Sequence, residues 1–302
     1  MSYFLFNKLY ILQSLADNDR KTGKELEERI NTFSLSNNIN FQAVLFDLHS
    51  KEEWEYAWKE IYTSIDQLNI IPIIHLVMHG NTDYIGIEQG VKGLIGLSEL
   101  FEKTRKANIL SHNNIMLTMA VCEGLNVIRF ITLDRPMPFC NILASQETLC
   151  NPISLENFTI FYQALLKDGN IDMAFERLQN QGAGEMGKYR LVKSEQLFAN
   201  VMQMYLDNKC NDQAIEERAE EIAAMGKFDI SDPIAKKIFV KRVKEFLPEE
   251  NSKGYEIYAD RFFMFDLFPA IKNRFSIPKT FDEFLEWSKS FNKASLAGFV
   301  TR

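Results

Sequence analysis

Two residues in this sequence pair a reactive side chain with a place where reactive side chains are used. His79 directly follows the apolar run Ile70–Met78 (IIPIIHLVM) and precedes Gly80. Cys122 directly follows the run Asn114–Val121 (NIMLTMAV) and precedes Glu123-Gly124. Both runs read as buried strands, so both residues fall at the carboxyl ends of strands, where open α/β sheets carry their sites. A thiol needs a base to become a nucleophilic thiolate, and an imidazole within reach supplies one. Gly80 and Gly124 can take φ > 0 and keep the backbone free of side-chain bulk. The backbone N–H groups of Gly80 and Cys122 would then face an oxyanion developing on an attacked carbonyl. The plain alternative stands beside this one. A cysteine at the end of an apolar strand is often a small buried hydrophobe, and a histidine before glycine is often a turn residue.

The elements around these residues define the class. Tyr3–Leu15, Phe41–Leu48, Ile70–Met78, Asn114–Val121 and Cys140–Ser145 read as strands, and Tyr189–Val192 as a sixth, edge strand. Helical patterns separate them. One opens at Thr22, with Thr22 as expected N-cap and Glu25 three residues on, and ends at Asn37-Asn38. Another covers Lys51–Leu68, with Ser50 as cap and Trp54, Trp58, Ile61 and Ile65 on one face. Leu97–Lys106, Ser154–Lys167 and Ile171–Gln179 follow. Residues 84–96 read as a hairpin turning near Gln89-Gly90, and residues 125–138 as a loop broken by Pro136 and Pro138. Continuous apolar strands alternating with helices predict a mostly parallel sheet of about six strands, covered on both faces. From about Glu195 only helices are expected: 195–208, 211–225, 232–246, 254–272 and 280–291.

Composition narrows the function classes. The chain has 302 residues, 46% apolar and 25% charged, with net charge −7. That balance lacks the basic footprint of a nucleic-acid binder. No stretch reaches the length of a transmembrane helix, and the amino terminus lacks the basic and small-residue features of a signal peptide. A cytoplasmic protein without a membrane segment is expected. Cys122, Cys140, Cys150 and Cys210 form no CxxC pair, and His49, His75, His79 and His112 show no ligand spacing, so neither a metal site nor a cofactor is expected. There is no GxGxxG, Walker-type loop or GxSxG, which disfavours a nucleotide-binding or serine-hydrolase reading.

The strings LVMHGN (76–81) and MAVCEG (119–124) resemble the histidine and cysteine motifs of caspase-like cysteine peptidases, especially the CHAT family within the caspase and separase group. The hairpin after His-Gly and the stretch NILASQETLCNPISLENFTIFYQALLKDGNIDMAFERL (141–178) resemble that family in order and spacing. Glu123 is followed directly by Gly124, where many relatives place a small hydroxyl residue, so the local turn departs from their pattern. The resemblance covers roughly residues 3–192. It implies a caspase-like α/β fold, Cys122 and His79 as a catalytic dyad, and peptide-bond hydrolysis through a thioester. It also implies limited proteolysis of one or few protein partners. Bacterial relatives often act in antiviral defence operons and cleave a companion protein encoded nearby.

Two domains are expected: residues 1–192, the peptidase-like part, and residues 193–302, a helical part that regulates or binds a substrate or regulatory protein. The loop Asp17-Asn18-Asp19-Arg20 follows the first strand and lies at the same sheet edge. In caspase-like enzymes that loop often forms the pocket floor for the residue before the cleaved bond. Asp17 or Asp19 would select Arg or Lys there, and Arg20 would select Asp or Glu; a solvated helix-entry loop is the competing reading. Arg129 and Arg135 in residues 125–138 mark a candidate self-cleavage segment. A catalytically silent scaffold of the same fold, binding a protein partner with Cys122 unreactive, is the alternative from another function class.

Overall fold

A computed structural model describes residues 4–87, 93–149, 151–184 and 186–291. The strands are β1 (Lys8–Ser14), β2 (Gln42–Asp47), β3 (Pro72–Met78), β4 (Tyr84–Gly86), β5 (Leu94–Gly96), β6 (Met116–Ala120), β7 (Asn141–Ser145) and β8 (Tyr189–Lys193). The helices are α1 (Thr22–Ser36), α2 (Lys51–Leu68), α3 (Leu97–Leu110), α4 (Asn151–Asp168), α5 (Ile171–Gln181), α6 (Ser194–Lys209), α7 (Asp212–Gly226), α8 (Pro233–Phe262) and α9 (Phe281–Ser288). Six strands form one sheet in the order β2-β1-β3-β6-β7-β8, parallel except for the antiparallel edge strand β8. The α/β class and the six expected strands are therefore present. The chain divides into two compact units. One holds the described residues up to Phe130 together with Pro136–Ser194, and the other holds Ile131–Arg135 with the described residues from Glu195 onward.

In the first unit, both faces of the sheet are covered. β3 and β6 are buried at every position, as strands between two helical layers must be. Alternation sends Ile73 and Val77 of β3, Met116 and Ala120 of β6, and Leu9 and Ile11 of β1 into one core with α1, α4 and α5. That core closes on Phe158, Phe161 and Tyr162 of α4. His75 belongs to the same face. It is fully buried, with Nδ1 2.8 Å from the Thr118 hydroxyl, which lies 2.5 Å from the Tyr162 hydroxyl. Its ring stacks edge-on against Phe158 and Tyr162 at 4.5 and 5.6 Å. Burial pushes the His75 imidazole down to about 3, so it is neutral. His75 is thus a hydrogen-bonded core histidine.

Several expectations change at this level. The first strand begins at Lys8; Phe4–Asn7 lie outside the ladder, tied instead by the Leu5 N–H to the Asn114 side-chain oxygen. Thr22 is the first residue of α1 and does not cap it. The cap comes from the preceding strand, because the buried Gln13 side-chain oxygen accepts the N–H groups of Gly23 and Lys24 at 2.8 and 3.3 Å. Its amide donates to Asp47 at the end of β2. Ser50 does cap α2, accepting the Glu53 N–H. The expected turn at Gln89-Gly90 lies outside the described residues, while the flanking β4 and β5 pair antiparallel. Residues 124–130 coil into a 3-10 helix where a loop was expected.

In the second unit, α8 runs unbroken for 30 residues through a stretch read as a gap between two helices. Tyr255 and Phe262 of α8, Phe263 just beyond it, and Phe284 of α9 close around Phe198 of α6, with ring centroids 5.1–6.0 Å apart. Burying that face stabilises the helix beyond its local sequence preference. The aromatic segment 254–268 is therefore core packing at Tyr255, Phe262, Phe263 and Phe265. The chain then turns through Phe263–Phe268 and a 3-10 turn at Pro269–Arg274. Thr280 opens α9 with a capping box to Glu283.

Candidate functional site

The sheet order decides what meets at its carboxyl edge. From β1 the chain moves outward to β2, then returns past β1 to β3 and continues to β6. The order reverses between β1 and β3, and such switch points open a crevice at the strand ends. The loops after β1, β3 and β6 leave this edge side by side. They carry Asp19, His79 and Cys122.

The register brings the ends of β3 and β6 together, and His79 and Cys122 follow those ends. Val77 pairs with Ala120, the last aligned pair of β3 and β6. Two residues on, His79 and Cys122 continue the two neighbouring chains, whose strands lie about 4.8 Å apart. Cys122 packs against the core that Val77 and Ala120 share with α1 and α4, while His79 is largely exposed. Cys122 is partly buried. The Leu149 N–H, in the loop after β7, donates to its sulfur at 3.4 Å. The thiol in turn lies 3.9 Å from the Leu149 carbonyl oxygen.

The turns around the two residues interlock. A Cβ on Gly80 would lie 2.4 Å from Val121 Cγ1 and 3.2 Å from the Tyr84 carbonyl oxygen, so only glycine fits. Neither Gly80 nor Gly124 uses the positive φ open to glycine. The left-handed residue is Glu123, at φ 55°, and its N–H is taken by the Glu147 carbonyl. Gly80 bridges Ile85 in the wide antiparallel pattern, with Gly86 N–H donating to His79 O and Asn81 N–H to Tyr84 O. In that pattern the Gly80 N–H points away from β4. Arg129, in the 3-10 helix after Cys122, pairs with Asp83 in the turn after His79 and so clasps the two loops together.

The loop after β1 supplies the feature that sequence reasoning missed. The Nε2–H of His79 donates to Asp19 Oδ2 at 2.8 Å. The same oxygen accepts the Ala16 N–H at 3.1 Å, while Asp19 N–H returns to the Ala16 carbonyl. The His79 hydrogen bond, followed by the Ala16 N–H and the charges of His79 and Lys21, holds the Asp19 carboxyl below its ordinary value against a partial desolvation cost. Lys21 ties the loop down through Leu15 O. Of the three candidate pocket residues, Asp19 is engaged by His79, and Arg20 makes a two-point contact with Glu25 at 2.7 and 2.6 Å. Asp17 is exposed. A signal for the Asp19 contact was available in principle, since β1 and β3 are neighbours, but strand order is not written in the sequence.

The remaining candidates lie elsewhere. Cys140 is buried at the start of β7, Cys210 lies in the helical unit, and Cys150 lies outside the described residues. No group of three or more His, Cys, Asp or Glu side chains suited to a metal ion occurs among the described residues. No described helix is long and apolar enough to cross a membrane. A scan against models of protein families matches none, and no curated protein matches the sequence.

Proposed function

We propose that the first unit is a caspase-like cysteine peptidase with Cys122 as nucleophile and His79 as base. The observation that carries the reading is that His79 and Cys122 follow two adjacent strands, β3 and β6, whose turns meet where Gly80 abuts Val121 and where Arg129 pairs with Asp83. The motif resemblance supplies the class of substrate, a peptide bond. In this reading His79 takes the thiol proton and the Cys122 sulfur attacks the peptide carbonyl. The oxyanion is met by the N–H groups of Gly80 and Cys122. The carbonyl then re-forms as the amine leaves with the proton from His79, giving a thioester that water hydrolyses. The protein acts in the cytoplasm, in a bacterial defence or regulatory pathway, on a partner protein encoded nearby. Its helical unit docks that partner or a regulator.

The test is a comparison of new protein amino termini in cells carrying wild type or Cys122→Ala, with the neighbouring genes expressed alongside. The reading expects at least one cleavage that disappears in Cys122→Ala and in His79→Ala. Identical termini in all three, with partner proteins bound but uncut, would favour the silent scaffold.

A further inference from the structure

The loop after β1 is built to hold one side chain still. Gln13, buried in β1, caps α1 and fixes where that helix begins. Lys21 anchors to Leu15 O, and Asp19 closes a tight turn onto Ala16 in both directions. What this braced turn presents is a carboxylate, 2.8 Å from His79 Nε2. The His79 side chain is otherwise 63% exposed, whereas the Asp19 side chain is 26% exposed, so the fixed member of the pair is the carboxylate. An exposed imidazole with no anchor samples several rotamers and both tautomers.

We propose that Asp19 is a positioning residue for the dyad, fixing the His79 ring through Nε2–H and leaving Nδ1 as the atom that receives the Cys122 proton. The inference rests on the cysteine-peptidase reading and deepens it. The proton balance is simple. A neutral imidazole bonded through Nε2–H to a carboxylate carries its lone pair on Nδ1. When the Cys122 S–H proton moves to Nδ1, the products are a thiolate and an imidazolium. The Asp19 carboxylate, held anionic by the contacts of its loop, stabilises that imidazolium without itself gaining a proton. Selection of a basic substrate residue by Asp19 is a different role for the same carboxylate. The His79 contact already occupies its Oδ2, which favours the positioning role.

The experiment follows the rate at which the Cys122 peptide of the full chain is alkylated by iodoacetamide between pH 5 and pH 9. It uses wild type, Asp19→Asn, Asp19→Glu, His79→Ala and the Asp19→Asn/His79→Ala double variant. Asn retains an oxygen for the Ala16 N–H, and a thermal melt reports whether the loop stays folded. In Asp19→Asn the neutral-pH rate should fall about tenfold, as expected for loss of an orienting partner. The rate should recover only toward the ordinary thiol range, about pH 8.5. Asp19→Glu should recover part of the neutral-pH rate, and the double variant should match His79→Ala. If Asp19→Asn coincides with wild type while His79→Ala differs, Asp19 has no such role. If Asp19→Asn slows the reaction equally in the His79→Ala background, it acts through the loop and the proposal is overturned. If His79→Ala itself coincides with wild type, the dyad reading falls first.

Discussion

His75 should make the fold acid-sensitive in a way that one substitution removes. The imidazole is buried among Thr118, Tyr162 and Phe158, and burial pushes it down to about 3. In the unfolded chain an ordinary histidine titrates near 6.5. Between these values the unfolded state binds a proton that the folded state does not, so stability rises with pH across this window and falls as the solution is acidified. The slope is about 1.4 kcal/mol per pH unit. At pH 4.5 the accumulated loss from His75 is therefore about 2.7 kcal/mol. Above pH 7.5 the contribution is flat. His75→Asn keeps a polar partner for the Thr118 hydroxyl and does not titrate. Its cavity cost is the same at every pH. Urea unfolding of wild type and His75→Asn at pH 7.5, 6.5, 5.5 and 4.5 isolates the effect as the difference between the two curves. The variant should start less stable and converge toward wild type, or cross it, by pH 4.5. Parallel curves would show that His75 does not change its proton occupancy on unfolding, and the burial argument would be wrong.

Three further outcomes follow from the packing. Gly80→Ala drives a methyl group into Val121 and should cost about 1–3 kcal/mol; Val121→Ala should relieve part of it, which a double-mutant cycle in urea measures. Gln13→Leu removes the acceptor for Gly23 and Lys24 N–H and should cost about 1–3 kcal/mol, with faster amide exchange at those residues as its signature. Thr280→Ala breaks the α9 capping box and should destabilise the helical unit by about 1 kcal/mol, seen as a lower melting temperature with Cys122 alkylation unchanged.

Much of the first unit is legible in the sequence because its central strands are buried on both faces. Such strands must be largely apolar, and IIPIIHLVM and NIMLTMAV meet that demand, with His75, Asn114 and Thr118 hydrogen-bonded where they interrupt it. His79 and Cys122 stand out for the same reason, as the first polar groups after each run. The rest is hidden wherever a partner distant in sequence decides the outcome. Thr22 looks like a cap, yet Gln13 occupies that role from the preceding strand. Asp19 looks like part of a solvated turn, and only the placement of β1 beside β3 brings it to His79. The positive φ open to glycine falls on Glu123 instead, while Gly80 is demanded by the width of the gap to Val121.

The account stands most directly on the reactivity of Cys122. Peptidyl acyloxymethyl ketones with varied residues at the carbonyl position, incubated with the full chain and read by intact mass and peptide mapping, test it. The account predicts a single adduct on Cys122 that is lost in His79→Ala and strongly reduced in Asp19→Asn. Adducts that spare Cys122, or an adduct on Cys122 that forms equally well without His79, would contradict it.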